Sequence, residues 1–298
     1  MPVNPLVEVF GYPVADMSRE ATDHRFGRLC PFGNPSGPSC TKDSAADPLG
    51  VCTIRDGKNF AVTCPVRLRE GSIILADAAN FFFPGRPYVA LTEVSLKDIN
   101  NKAAGNIDIV LAVLDENKKV VDFGAIEIQT VYISRNVGAA FRAYMKDPEA
   151  NCRMEWPKKN YPKPDYLSSS RKRLIPQLLF KGGILNSWGK KTAVIVHRCF
   201  FEQLPPLETV DRSEAEMAWF VYDLEVNETT GRYHLARSTV RYTRFETALN
   251  TISVPVPGEM SKFMSTLESR IKKGRFNGMP SSTPIEPAVE PQAQIWEE

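Results

Sequence analysis

Two apolar, β-branched runs in the middle of this chain each carry acidic side chains that any fold must accommodate. The first is Ile107-Asp108-Ile109-Val110-Leu111. The second is Gly124-Ala125-Ile126-Glu127-Ile128-Gln129-Thr130-Val131-Tyr132-Ile133. Runs of this composition read as buried strands. Side chains alternate along a strand, so Glu127 and Gln129 point to one face while Ile126 and Ile128 pack on the other. A carboxylate in such a run is costly to bury without a partner. A cation held between Asp108 and Glu127 would be that partner. Taken alone, Asp108 is better explained by a solvated face or an edge. Asp108, Glu127 and Gln129 together on two neighbouring runs favour a shared site. Asp115 and Glu116, with Asp122 shortly after, read as solvated residues of a turn and its flank.

The rest of the pattern interleaves helices with strands. Residues 66–82 predict a helix with Leu68, Ile73, Leu75, Ala76, Ala79 and Phe82 inward, stopped by Pro84-Gly85. Strands are expected near 88–96, 106–114 and 120–134, and residues 146–166 read as a loop. Ser168-Ser169-Ser170 offers N-caps for a helix ending at Gly182-Gly183, and Pro176 inside that pattern implies a late start or a kink. Residues 192–199 return as a buried strand, 217–226 and 233–242 as a hairpin, and 257–273 as an amphipathic helix closed by Gly274. Beyond residue 280, Pro, Ser, Glu and Gln dominate and predict disorder. This interleaving implies an α/β core with a mixed sheet. The expected division is a cysteine-bearing region over 1–65, the core over 66–275 and a tail over 276–298.

A chain of 298 residues can bury a full core. A net charge of only +2 means that any nucleic-acid surface must be a local basic patch. No basic segment followed by an apolar one opens the chain, which speaks against secretion. No apolar run approaches the roughly 18 residues of a membrane span. The expected location is therefore cytoplasmic, with no membrane partner.

Four of the six cysteines, Cys30, Cys40, Cys52 and Cys64, fall in a segment dense in Pro, Gly, Ser and Asp. Reduced thiols this close together suit a metal site better than disulfides. Their spacing of 10, 12 and 12 has no C-x2-C knuckle, so by pattern alone free thiols remain equally open. Four thiolates around one cation would staple a segment poor in apolar residues. Cys152 and Cys199 stand apart, and Cys199 reads as a small buried hydrophobe.

Asp108, then Glu127-Ile128-Gln129, resembles the PD-(D/E)xK nuclease pattern with Gln in place of Lys. The wider chain resembles the NotI family of type II restriction endonucleases. The blocks that carry this resemblance are Val7-Glu8-Val9-Phe10-Gly11-Tyr12-Pro13, Cys30-Pro31-Phe32, Cys64-Pro65, Ala125 to Ser134, Asp165 to Leu174, and Lys181-Gly182-Gly183-Ile184-Leu185. They extend from about residue 7 to about residue 245. The resemblance implies a PD-(D/E)xK restriction-endonuclease-like α/β core plus a small N-terminal four-cysteine metal-binding domain. It implies Mg²⁺-dependent double-strand cleavage of a GC-rich palindromic DNA site by a homodimer, with a cognate DNA methyltransferase as genetic partner. It also implies a structural metal, iron being the family's usual one, on Cys30, Cys40, Cys52 and Cys64. Sequence does not separate iron from zinc there.

Within that frame Asp108 and Glu127 would bind Mg²⁺ through hard oxygen ligands. Glu93, 15 residues before Asp108, would add to the site. Gln129 cannot carry charge but can orient a water, which leaves the identity of the general base open. DNA contact is expected at Ser170, Arg171, Lys172, Arg173 and Lys181. Hydroxyls at a helix start and clustered cations suit phosphate oxygens, although a solvated helix face explains the same run. Glu225, beside Asp223, reads as structural. Two other readings stay open: a repair or structure-specific nuclease of the same superfamily, and a noncatalytic DNA-binding protein built on the cysteine module.

Overall fold

The computed structural model describes residues 3–33 and 37–274. The tail expected over 276–298 lies outside them. The chain divides after Val254 into two units. The second contains the helix Met260–Lys272, whose Met260, Phe263, Met264, Leu267 and Ile271 are exposed.

The first unit opens with a small antiparallel sheet. Strands β1 (Leu6–Val9), β2 (Tyr12–Pro13), β3 (Val51–Asp56) and β4 (Asn59–Val62) lie in the order β2-β1-β3-β4. The main sheet follows. Its strands are β5 (Val89–Lys97), β6 (Ala103–Leu114), β7 (Val120–Gln129), β10 (Thr192–His197), β11 (Met217–Val226) and β12 (Tyr233–Thr243). A two-stranded ribbon of β8 (Tyr132–Ser134) and β9 (Lys163–Asp165) stands apart. The six-stranded sheet runs β12-β11-β10-β7-β6-β5. β10 is parallel to both β7 and β11, while the other pairs are antiparallel, so the sheet is mixed as the pattern implied. Turn chemistry closes its hairpins. Asp115 Oδ1 accepts from the backbone N–H of Asn117 and Lys119, and Asn227 Oδ1 accepts from those of Thr229 and Thr230.

Each face of the sheet has its own core. Ile109, Leu111, Ile126, Ile128, Ala193, Ile195 and Phe220 pack with the helix Ile73–Phe82. On the other face Val194, Val196, Trp219 and Val221 pack with Leu174, Leu178, Phe245 and the small sheet's Leu6, Val9 and Ile54. Glu127 and Gln129 pair in register with Val194 and Val196, so they belong to this second face.

Several boundaries differ from expectation, each for a local reason. The helix expected over 66–82 is a 3₁₀ turn, Pro65–Ser72, followed by Ile73–Phe82, broken where Gly71 takes φ +60°. The strand expected over 120–134 ends at Gln129, and β8 turns away to pair with β9. The helix expected from Ser168 begins at Tyr166, capped by Asp165, whose Oδ1 accepts from Ser168 N–H. It continues through Gly182-Gly183 to Ser187 with two π turns, Ser170–Leu174 and Leu178–Gly182. Pro176 between them has no N–H to donate and crowds the preceding turn, which favours wider turns on either side. The helices Val137–Lys146 and Phe245–Ser253 were not expected.

A buried ion pair joins the small sheet to the main one. Arg67 and Glu8 are both fully buried. Arg67 Nε donates to Glu8 Oε2 at 3.0 Å, and its terminal nitrogens donate to Glu70 and to the Tyr233 carbonyl on β12. Thr53 of β3 donates to Glu8 Oε2 at 2.5 Å. Arg67→Met would leave Glu8 buried without its cation, at a cost of about 3–5 kcal/mol. A urea denaturation midpoint close to that of the wild type would contradict this.

Candidate active site

Strand register brings three carboxylates side by side. In the β5–β6 ladder Thr92 pairs with Ile109 and Val94 with Ile107, which sets Glu93 opposite Asp108. In the β6–β7 ladder Ile109 pairs with Ile126, and the next positions along are Asp108 and Glu127. Residues opposite one another on neighbouring strands share a face. The Ile128 N–H donates to Asp108 Oδ2 at 2.7 Å and ties the two strands at this level. Glu93 sits in the left-handed region at φ 54° inside a strand. A non-glycine residue held there carries strain of the kind that gathers at functional sites. Exposure grades across the row. Glu127 is buried, Asp108 is half-buried and Glu93 is exposed.

The electrostatics of this row are unfavourable as it stands. Burial pushes the Glu127 carboxyl up to about 8, and the neighbouring Asp108 charge adds to the rise while Lys181 opposes it. Burial also raises Asp108, against the Ile128 hydrogen bond and the Lys181 charge. Glu127 Oε2 accepts from Lys181 Nζ at 2.6 Å, whereas Oε1 is buried with no partner. Gln129 is buried beyond Glu127, and its amide donates to its neighbour's carbonyl, Thr130 O, at 2.5 Å.

These donors fit a hard divalent cation. They are all carboxylate oxygens, one is orphaned, and their mutual repulsion calls for positive charge. Among the described residues no group of three or more His, Cys, Asp or Glu side chains is arranged to hold a metal ion. The raised Glu127 carboxyl takes up a proton more readily than a free one, and an incoming cation competes with that proton. Affinity for Mg²⁺ should therefore climb as pH rises from about 6 to about 8 and level off above that. Calorimetric titration across this range measures it. A pH-independent affinity would contradict the assignment of Glu127 as a ligand.

The expected DNA-contacting residues separate into two groups. Arg171, Lys172 and Arg173 are exposed on the first π turn, with Ser170 half-buried beside them. Arg173 stacks its guanidinium 3.8 Å from the Tyr132 ring centroid. The serines lie inside the helix rather than capping it, and Ser169 Oγ is occupied by Tyr132 N–H and the Asp165 carbonyl. Lys181 does not join the basic group. It is buried and lies against Glu127.

Cys30, Cys40 and Cys64 line one cavity of about 390 Å³, together with Tyr132 and Arg173. Cys52 is buried on β3, its thiol donating to the Gly50 carbonyl at 3.7 Å. Burial pushes the Cys30 thiol up to about 11 and raises Cys40 and Cys52 as well, and Cys64 adds to the rise in each. All are free thiols, and the four sulfurs do not form a closed cluster. Cys199 is buried, as expected of a small hydrophobe. Glu225 is solvent-exposed near His234 on the neighbouring strand, away from any acidic cluster.

A search of curated proteins gives no match. Among family models, the one described as restriction endonuclease NotI matches residues 8–235. That span takes in Glu93, Asp108, Glu127, Gln129, the basic helix and all six cysteines. It covers well over half of the sequence, and the chain belongs to the NotI restriction endonuclease family.

Proposed function

We infer that this chain is a Mg²⁺-dependent type II restriction endonuclease of the PD-(D/E)xK kind, cutting both strands of a GC-rich palindromic DNA site. The observation that carries this reading is the Asp108–Glu127 pair on adjacent strands, with an orphaned Glu127 oxygen, inside a chain of a DNA-cleaving family. Asp108 and Glu127 hold the ion, and Glu93, on the open side of the row, adds a third carboxylate. A bound Mg²⁺ supplies Lewis-acid activation of water and stabilises charge on the attacked phosphate. Gln129 supports the end of β7 beside Glu127.

The exposed Arg171, Lys172 and Arg173 supply phosphate contacts, with arginine or lysine elsewhere reading guanine edges in the major groove. A palindrome cut on both strands is met by a two-fold homodimer, each protomer addressing one strand. A methyltransferase that protects the same site is the matching genetic partner, and the cytoplasm is the matching compartment. No helix among the described residues is long and apolar enough to cross a membrane. Cys30, Cys40, Cys52 and Cys64 bind one iron or zinc ion. The support is the shared cavity of three of them and the charge of Cys64, which acts on each of the other three thiols.

Digestion of a sequenced genome in Mg²⁺, with mapping of the ends, tests the reading as a whole. Matched staggered ends at one GC-rich palindrome are expected, and ends sharing no sequence would overturn it. Asp108→Ala and Glu127→Ala should abolish cutting while leaving specific DNA binding in Ca²⁺, and wild-type cutting by either removes the site. Arg171→Ala or Lys172→Ala should weaken binding to all DNA alike and flatten its salt dependence. A changed set of cut sequences would make that cluster a base reader instead. Elemental analysis of protein purified without chelators should find about one iron or zinc per chain. Neither metal above trace levels would refute the cysteine site.

A further inference from the structure

Lys181 is the cation in hydrogen-bond contact with the carboxylate row. Its ammonium donates to Glu127 Oε2 at 2.6 Å and to the Asn106 carbonyl on β6 at 2.7 Å. An ammonium has three donors, so one remains beyond these two bonds. The Arg69 guanidinium also lowers Asp108, but through its charge at a distance.

The fold is built to put this lysine here. Gly105 of β6 adopts φ +120°, and a Cβ on it would stand 3.3 Å from Lys181 Cδ. The bare backbone gives the lysine stem its passage across the strand. The next residue along the helix, Gly182, packs so closely that a Cβ would lie 2.6 Å from Phe245 Cε2. That contact packs the second π turn against the helix Phe245–Ser253. Such turns favour functional positions because they re-aim side chains that a regular helix would point elsewhere. Gln129, at the motif position, brings no charge and gives its amide to Thr130 O.

A lysine that only neutralised a buried glutamate would be a poor bargain, because desolvating both ions offsets much of their attraction. Here it also leaves Glu127 Oε1 unpaired and keeps a donor in reserve. We propose that Lys181 is the active-site cation of this nuclease. From the helix it orients Glu127 and offers its third N–H to the attacked phosphate, replacing the strand lysine that position 129 lacks. This rests on the nuclease reading above. In the hydrolysis a water oxygen bonds to phosphorus and the P–O bond to the leaving sugar oxygen breaks. A water proton reaches that oxygen through solvent. Lys181 transfers no proton and acts by charge and position.

The test is single-turnover cleavage of one cognate duplex in saturating Mg²⁺, with duplex affinity measured separately in Ca²⁺. Lys181→Met should cut at least about 100-fold more slowly, the scale of losing one donor to developing charge, with affinity within a few-fold of wild type. Moving the charge back to the strand, in the double variant Lys181→Met with Gln129→Lys, should recover at least about tenfold of the lost rate. A purely structural role would not show that recovery. If Lys181→Met does not fold, Lys181→Gln, which keeps a donor for Asn106, is compared with its own Gln129→Lys double variant on the same terms. Near-wild-type cutting by the single variant overturns the proposal. So does failure of the double variant to recover rate, or a large affinity loss with a flattened salt slope, which would make Lys181 a phosphate-binding residue. Asp108→Ala is run alongside. If it too cuts like wild type, the site itself is wrong; if it is dead while Lys181→Met cuts, only the lysine proposal falls.

Discussion

Glu93, Asp108 and Glu127 stand in register on three adjacent strands, where burial and neighbouring negative charge raise the Asp108 and Glu127 carboxyls. This single constraint organises the molecule around it. The carboxylates share the sheet face that the 166–187 helix covers. The helix in turn delivers Lys181 through the gap left by Gly105. Burial and the neighbouring Asp108 charge push the Glu127 carboxyl up, against the Lys181 ammonium.

The remainder of the fold supplies rigidity. β10 is buried along its whole length and pairs in parallel with β7, so Val194 and Val196 pin Glu127 and Gln129 from the side. Across the first unit the Glu8–Arg67 pair, with Thr53, Glu70 and the Tyr233 carbonyl, locks the small N-terminal sheet to the edge of the large one. The cysteine cavity touches Tyr132 and Arg173, so the cysteine segment adjoins the start of the basic helix. A metal there would influence the basic helix more directly than the carboxylates.

What the sequence disclosed follows from what side-chain periodicity encodes. Asp108, Glu127 and Gln129 were legible because an acidic residue in a β-branched run is costly and two such runs are conspicuous. The hairpins at Asp115 and Asn227 were legible from turn residues. Lys181 was misplaced because a lysine near Arg171 to Arg173 reads as part of a basic patch. Its stem packs against Gly105, a residue 76 positions earlier that only the tertiary fold brings near. The π turns around Pro176 have no simple sequence signature. Asp165 replaced the serines as helix cap because the helix begins two residues before Ser168. The left-handed backbone at Glu93 leaves no trace in the local sequence.

The central claim is that a divalent cation belongs between Asp108 and Glu127. A crystal structure of the protein soaked in Mn²⁺, with the ion located by its anomalous scattering, tests it most directly. The account predicts one ion within about 2.5 Å of an oxygen of each residue, Glu127 Oε1 among them, with Lys181 still bonded to Oε2. An ion bound elsewhere, touching neither carboxylate, would contradict it.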